Sequence, residues 1–490
     1  MFAVLVCFVF LVIWSWMRMR RKSMPPVLPG ALPLIGNSHQ LIGDRIHLWK
    51  FVQEGGKFCQ KQDGVATLMI GNYPFYLVTD PDDCLVVSNA SLNKPYVYKF
   101  GEKFLGNGLI TSDETIWKPH RKLLNPTFNQ QIMNTFLHEM NVQARALVTK
   151  LSAQVDKGPF DPRPYFVDFT LSTVSRTSLG LNAEDQTIIS NEYANMIEEI
   201  FGIYCKRFQK VWLHLSCFYN FSPMKWREEQ LIKSLRKILD NVIHKRRAEL
   251  KQIKHSDETY DSSSGKFTPA LDHMLNMADE QNAFTDQEIR EHIDSLIAAA
   301  YDTSSTTLTY ALNLLGSNPH VQDRVLKELE EVLQDKNADI TKDNLQNLVY
   351  LDAVVKETLR LYSAIPFIGR KVEFPVKLKK YTLEPGTTCM LLLQSIHLDP
   401  KLWGPDVNEF KPERWLNPDT LPKHPNAYVP FGVGRRYCIG KLYNAYVTKT
   451  AFAHNLQRFC VSGNIDNDMT EYDVVLKPVL GHQISLSSRI

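Results

Sequence analysis

No cysteine of this chain stands in a CxxC pair. The eight that occur (Cys7, Cys59, Cys84, Cys205, Cys217, Cys389, Cys438 and Cys460) follow no regular spacing. That excludes a zinc module and a disulfide framework and fits a reducing compartment. An excess of one charge is missing too. Against 53 Asp and Glu stand 56 Lys and Arg, a net +3 that is too small for a nucleic-acid binder. No internal repeat is present. Hydrophobic content of 44% is ordinary, so the 490 residues have a large core to build.

Long apolar runs are scarce, with one exception. FAVLVCFVFLVIWSWM, positions 2–17, has Ser15 as its only clearly polar residue. As a helix it spans about 24 Å, slightly short of a hydrocarbon core of about 30 Å. Arg18, Arg20, Arg21 and Lys22 follow and hold the downstream chain on the cytoplasmic side. The run lacks the basic start and small-residue cleavage site of a signal peptide. Residues 1–22 therefore read as a membrane anchor with its basic flank. Residues 23–37, with Pro25, Pro26, Pro29 and Pro33, read as a stiff hinge. Residues 38–490 read as one catalytic domain.

Within that domain, Thr67 to Pro81 predicts a hairpin turning at Gly71-Asn72. From about Thr115 to Ser317 the pattern is helical, broken by a polar loop from His255 to Lys266. Thr285 and Glu288 make a capping box. It opens a helix of about 30 residues that ends near Gly316 and Pro319. A second helix is expected from Asn344 to Tyr362, followed by short strands. The fold class is mainly α with minor β.

Chemistry concentrates at FGVGRRYCIG, Phe431 to Gly440. Gly432, Gly434 and Gly440 let the backbone pass close to something flat and bulky. Arg435 and Arg436 are expected to favour the Cys438 thiolate. A lone thiolate without a neighbouring Cys or His suits an axial ligand to haem better than tetrahedral zinc. Glu357 and Arg360 share a helix face, and PERW (Pro412 to Trp415) lies between them and Cys438. Taken alone, that spacing would be an ordinary surface pair.

The pattern FxxGxRxCxG resembles the cysteine loop of the cytochrome P-450 superfamily. Glu357, Arg360 and Arg414 resemble its structural Glu-Arg-Arg cluster. AAAYDTSST, Ala298 to Thr306, resembles its oxygen-activation helix. The resemblance implies the cytochrome P-450 fold, with the long central helix over the haem. It implies Cys438 as iron ligand and as a catalytic residue, with Asp302 and Thr303 as the catalytic proton relay. Ala299 and Ala300 leave room for dioxygen. Trp117, Arg121, Arg370 and Arg436 match propionate partners, arginine being suited to bidentate carboxylate binding. With Ala299, Phe431, Cys438 and Gly440 they form the expected haem site.

FLGNGLITS, RKLLNPTF and IDSLIAAAYDTSS look like the fourth family and its insect relatives. Many of those carry a haem-esterifying glutamate where this chain has Ala299. The implied cofactor is therefore haem b, held non-covalently except for the axial bond. Asn444 and Val447 depart from the usual alanine and glutamate. The implied reaction inserts one oxygen atom into a lipophilic substrate with NADPH-derived electrons. The partner is a membrane-bound reductase, with cytochrome b5 as a second candidate, on the cytoplasmic side of the endoplasmic reticulum. Lys118, Lys122 and Lys441 are candidate docking charges or plain solvated lysines. Ile200 to Phe221, rich in aromatics, is a pocket roof, a membrane-dipping segment or ordinary core. Two rival functions remain at this stage: a reductase-independent isomerase or dehydratase, and a non-catalytic haem binder.

Overall fold

The computed structural model describes residues 2–19, 23–182, 185, 188–256, 267–465, 470–479 and 483–489. Helix α1 (Phe2–Met19) carries the N-terminal apolar run. Positions 20–22 of its basic flank lie outside the described residues. No helix among the described residues is long and apolar enough to cross a membrane. Ser15 ties α1 to the body. Its hydroxyl donates to Asn72 Oδ1 at 2.6 Å and accepts from the Leu34 N–H at 2.9 Å. The proline stretch is a succession of turns, with Val27 bridged to Thr67 and Leu32 to Gly36.

Helix α2 (Arg45–Lys61), capped by Asp44, precedes strands β1 (Val65–Ile70) and β2 (Tyr73–Val78). Ile70 pairs with Tyr73, so the hairpin turns at Gly71-Asn72 as predicted. Gly71 has φ +60°, the left-handed value a tight hairpin turn requires. The helical half follows: α3 (Glu114–Leu124), α4 (Gln130–Ser152), α5 (Arg163–Val174), α6 (Asn191–Gln209) and α7 (Pro223–Ser256). Most of the predicted polar loop, positions 257–266, lies outside the described residues.

Helix α8 (Asp286–Ser317) runs 32 residues behind the Thr285–Glu288 capping box. It is buried nearly all round, as a helix crossing a domain must be. Ile289 to Tyr301 pack into one hydrophobic cluster and Leu308 to Leu315 into another. The helix expected over 344–362 is two. A short turn, Lys342–Asn347, ends at Leu348, and α9 (Val349–Leu361) starts afresh. The break has a cause outside the local pattern. The Glu328 carboxylate accepts the Tyr350 and Leu351 N–H groups at 2.6 and 2.9 Å and caps the new helix.

Strands β3 (Ile368–Val372) and β4 (Thr387–Leu391) join the hairpin in a four-stranded sheet of order β1-β2-β4-β3. Only β2 and β4 are parallel. Helix α10 (Lys441–Leu456) follows the Cys438 loop. The chain closes with β5 (Phe459–Gly463), β6 (Thr470–Asp473), β7 (Val475–Pro478) and β8 (Ile484–Ser488). The architecture is mainly helical with a minor sheet, as expected.

Candidate haem-thiolate site

The Cys438 loop is shaped by backbone that only glycine adopts easily. Gly434 has φ +72°, and a Cβ there would meet the Ser88 Cβ at 2.7 Å. Cys438 N–H donates to Phe431 O at 2.8 Å, which folds the loop back on itself. Gly440 N–H reaches Cys438 Sγ at 3.3 Å, just before α10 begins. Burial pushes the thiol up, while that N–H and Arg121 pull it down. A helix N-terminus acts in the same direction, toward thiolate. The cation that pulls the thiol down is not one of its sequence neighbours. Arg435 lies exposed with its backbone N–H on Asn89 Oδ1, and Arg436 is held by the Leu92, Leu109 and Ser112 carbonyls. Arg121 does the work, donating to Tyr437 O at 3.0 Å with its guanidinium over the Tyr437 ring.

A cavity of about 250 Å³ lies between this loop and α8. Cys438 is the one cysteine of the eight that lines it, together with Phe431, Gly440, Ala299, Ala300 and Thr303. Thr303 Oγ1 donates to Ala299 O at 2.7 Å, a back-bond that loosens the helical ladder.

Three cations face the same space: Lys94, Arg370 and Arg436. Burial, then Arg370 and Arg436, push Lys94 well below its ordinary range. Burial, then Arg370, push Arg436 down to about 9. Arg370 Nε has no hydrogen-bond partner among the described residues. No carboxylate lines the cavity among the described residues. Like charges this deep are costly without a counter-charge. An anionic group with two carboxylates, as haem has, satisfies that arrangement. Arg436 also donates to Leu92 O, Leu109 O and Ser112 O, so its guanidinium is held in place.

Support comes from a cluster further back. Glu357, fully buried, accepts from Arg360 at 2.8 and 2.9 Å, from Arg414 at 2.9 Å and from Trp415 Nε1 at 2.9 Å. Arg360 in turn holds His397 O at 3.1 Å. The His397 ring accepts the Val429 N–H at 2.8 Å, two residues before Phe431. The Glu357–Arg360–Arg414 cluster thus braces the thiol loop through His397.

The family model for cytochrome P450 matches residues 25–485. This chain belongs to the cytochrome P450 family. It is similar to cytochrome P450 4V2 of Mus musculus, 30% identical over 97% of this chain and 91% of that one. Similarity to cytochrome P450 4c21 of Blattella germanica is 28% over 99% and 98%. To cytochrome P450 4c3 of Drosophila melanogaster it is 27% over 98% and 93%. Membership makes this P450 a monooxygenase and implies a haem iron bound by a cysteine thiolate.

Among the expected catalytic and haem-site residues of this P450, three do not line the cavity: Trp117, Arg121 and Asp302. Trp117 lies under Arg436, whose guanidinium stands 4.7 Å from the ring centre. Asp302 is fully buried but turned away from the cavity. It pairs with Arg163 at 3.1 Å and Lys477 at 3.3 Å. Adjacent residues of a helix point about 100° apart, so Thr303 takes the cavity and Asp302 the opposite side. Sequence reasoning missed Lys94, Arg163 and Lys477, none of which stands in a motif. Lys118, Lys122 and Lys441 are exposed. The aromatic stretch divides: Ile200 to Tyr204 are core, while Trp212, Leu215, Phe218 and Phe221 are exposed. Asn444 donates to Ser304 Oγ at 3.3 Å, and Val447 is core.

Proposed function

We propose that this P450 is a microsomal monooxygenase that inserts one oxygen atom into a lipophilic substrate with NADPH-derived electrons. Cys438 would hold the iron of a non-covalently bound haem b through its thiolate. The observation that carries the reading is the pairing of one cavity-facing thiol with three uncompensated cations in the same cavity. Lys94, Arg370 and Arg436 would hold the propionates, with Trp117 and Arg121 bracing Arg436 and the thiol loop. When bound, the haem supplies the reductive activation of dioxygen, and a thiolate ligand favours O–O cleavage.

The chain's own groups do the rest. Ala299 and Ala300 leave the distal side of the cavity open, while Leu296, Ile365 and Ile368 make its wall apolar. That lining excludes water and favours a lipophilic guest. Thr303 presents its hydroxyl to the cavity and holds a proton there. Asp302 is the acid behind it and touches no substrate. Intact Asp302 and Thr303 favour monooxygenation over reductase-independent isomerisation. Glu357, Arg360 and Arg414 keep the loop in shape and take no part in the reaction.

The exposed Lys118, Lys122 and Lys441 suit an acidic reductase surface, with cytochrome b5 as a second candidate on the same face. The apolar run in α1 anchors the chain in the endoplasmic reticulum membrane, catalytic domain on the cytoplasmic side. Exposed Trp212, Leu215, Phe218, Phe221 and Trp226 add a surface that suits the membrane interface.

The deciding test is Cys438→Ser. It is expected to abolish the strongly red-shifted Soret band of the reduced carbon monoxide complex. A variant that keeps the band places the ligand elsewhere.

A further inference from the structure

Behind α8, Asp302 belongs to a charge cluster drawn from six elements, α8 included. Arg163 opens α5 and Lys477 sits on β7, both paired with Asp302. Glu198 of α6 touches the same two cations at 2.7 and 3.7 Å. Asp473 ends β6, and Arg45 of α2 reaches its Oδ2 at 2.9 Å. The side chains of Asp302, Lys477 and Asp473 are 0%, 6% and 2% exposed. Arg45, at 31%, opens to solvent.

Asp473 Oδ1 is buried without a hydrogen-bond partner among the described residues, and the equally buried Asp302 Oδ2 and Lys477 Nζ have only ion-pair contacts, with each other at 3.3 Å and from Lys477 to Glu198 at 3.7 Å. Buried polar atoms that no protein group satisfies are the usual seats of ordered water. Asp473 Oδ1 and the Lys477–Asp302 pair mark a polar seam from the β6–β7 hairpin to the side of α8 that faces away from the cavity.

The two carboxylates bordering the seam differ in what they can carry. Burial raises Glu198, but Lys477 and Arg163 outweigh it and hold the group below its ordinary range. Glu198 therefore stays ionised and transfers no proton near neutrality. Asp473 is pushed by burial up to about 6, against Lys477 and Arg45, with Asp302 and Glu471 adding to the rise. Cys205 of α6 also faces it. Asp473 exchanges a proton close to physiological pH, next to a residue that meets solvent.

We propose that Asp473 is the proton inlet of the Asp302 relay, taking protons from solvent beside Arg45 and passing them through water along Lys477. This inference rests on the reading of Asp302 as the acid behind Thr303. The step balances as a proton transfer alone. Protonated Asp473 and the Asp302 carboxylate become the Asp473 carboxylate and protonated Asp302, and solvent restores the proton on Asp473. Lys477 and Arg163 are positioning residues whose ion pairs fix the Asp302 carboxylate in place. The hairpin supplies both the inlet and one positioning cation, so a local device of β6–β7 feeds the central helix.

The test uses the full-length holoenzyme with a reductase, comparing wild type with Asp473→Asn and Asp473→Glu. In Asp473→Asn, product formed per NADPH is expected to fall several-fold and the solvent deuterium isotope effect on product formation to rise. The pH dependence of coupling on the acid side of neutrality flattens, and the reduced carbon monoxide spectrum stays as in wild type. Asp473→Glu restores coupling. A second readout needs no turnover. Infrared spectroscopy should show a protonated-carboxyl C=O band that titrates below neutrality, shifts in D2O and is missing from Asp473→Asn. Wild-type coupling and isotope effect in that variant overturn the proposal, as does an infrared band that survives the substitution. Should Asp473→Asn fail to fold, Asp473→Glu decides: the carboxyl band must move, and an unmoved band overturns the proposal. Asp302→Asn and Thr303→Ala separate the two readings. Full coupling in both removes the acid assignment of Asp302. Lost coupling in both, beside wild-type coupling in Asp473→Asn, removes only the inlet.

Discussion

Glu357→Gln is the sharpest perturbation of the frame that carries the thiol loop. The substitution keeps the shape of the side chain and turns one acceptor into a donor. If Oε2 is replaced, Arg360 Nε and Trp415 Nε1 face a donor. If Oε1 is replaced, the terminal Arg360 nitrogen, Arg414 Nε and the Lys411 N–H do so. In either case Arg360, fully buried, loses its one ionic partner among the described residues. A hydrogen bond to a charged group contributes about 1.5–3 kcal/mol, and breaking a buried pair costs about 3–5 kcal/mol in total. These overlap, so about 4 kcal/mol is expected, roughly a thousandfold in the folded ratio. Against a total stability of about 5–15 kcal/mol, much of the protein should fail to load haem. The assay is the amplitude of the reduced carbon monoxide band per polypeptide, with the urea midpoint beside it. Arg324→Gln breaks a half-exposed pair with Glu413 and serves as control, expected to cost less than about 1 kcal/mol. Wild-type haem loading and an unmoved midpoint in Glu357→Gln would refute the reasoning.

Burial pushes His292 down to about 4, His397 to about 3 and His454 to about 4. The fold keeps them neutral, whereas the unfolded chain protonates near about 6.5. The unfolded state thus binds more protons between those values. Stability should be full above about pH 6.5 and fall as pH drops toward about 4. His292→Gln should reduce that slope by up to about 1.4 kcal/mol per pH unit; an unchanged slope in urea midpoints measured across that range contradicts it. Ala299 carries no carboxyl at the cavity wall, so acid denaturation with reverse-phase separation should free essentially all haem from the polypeptide. Haem that remains attached would point to another carboxylate. Removing residues 1–22 should weaken sedimentation with membranes and leave haem binding intact. The sequons at Asn89 and Asn220, both exposed, should carry no glycan, and a glycosidase-sensitive shift in mobility would reverse the orientation.

What was legible in the sequence was contiguous. FGVGRRYCIG, the capping box at Thr285 and Glu288, and the Gly71-Asn72 turn each specify local geometry within ten residues. The structure places the capping box and the turn as read, and the loop glycines Gly432 and Gly434 take positive φ. Direction was less legible than position. Asp302 and Thr303 stand side by side in sequence, yet the rotation of about 100° between adjacent helical residues sends them to different surroundings. The neighbour that decides where Asp302 points, Arg163, lies 139 positions away. The same holds for the break at Leu348, which depends on a carboxylate from another helix. The cation beside the thiol was sought next to it in sequence, but it comes from α3, which lies against the loop.

Lys94 shows what such non-local placement does for energetics. It precedes Pro95 in a segment without a motif, and on its own it reads as a surface lysine. In the fold it is set against Arg370 and Arg436, so three positive charges share one wall of the cavity. Each costs free energy in that position unless an anion offsets it. A dianionic cofactor that binds the folded chain and not the unfolded one therefore stabilises the fold by mass action. Haem affinity and resistance to unfolding should move together when any one of the three is neutralised. Substitution of the exposed Lys118, which does not line the cavity, should move neither. The cavity that serves the chemistry is thus also the place where the protein's stability depends on its cofactor.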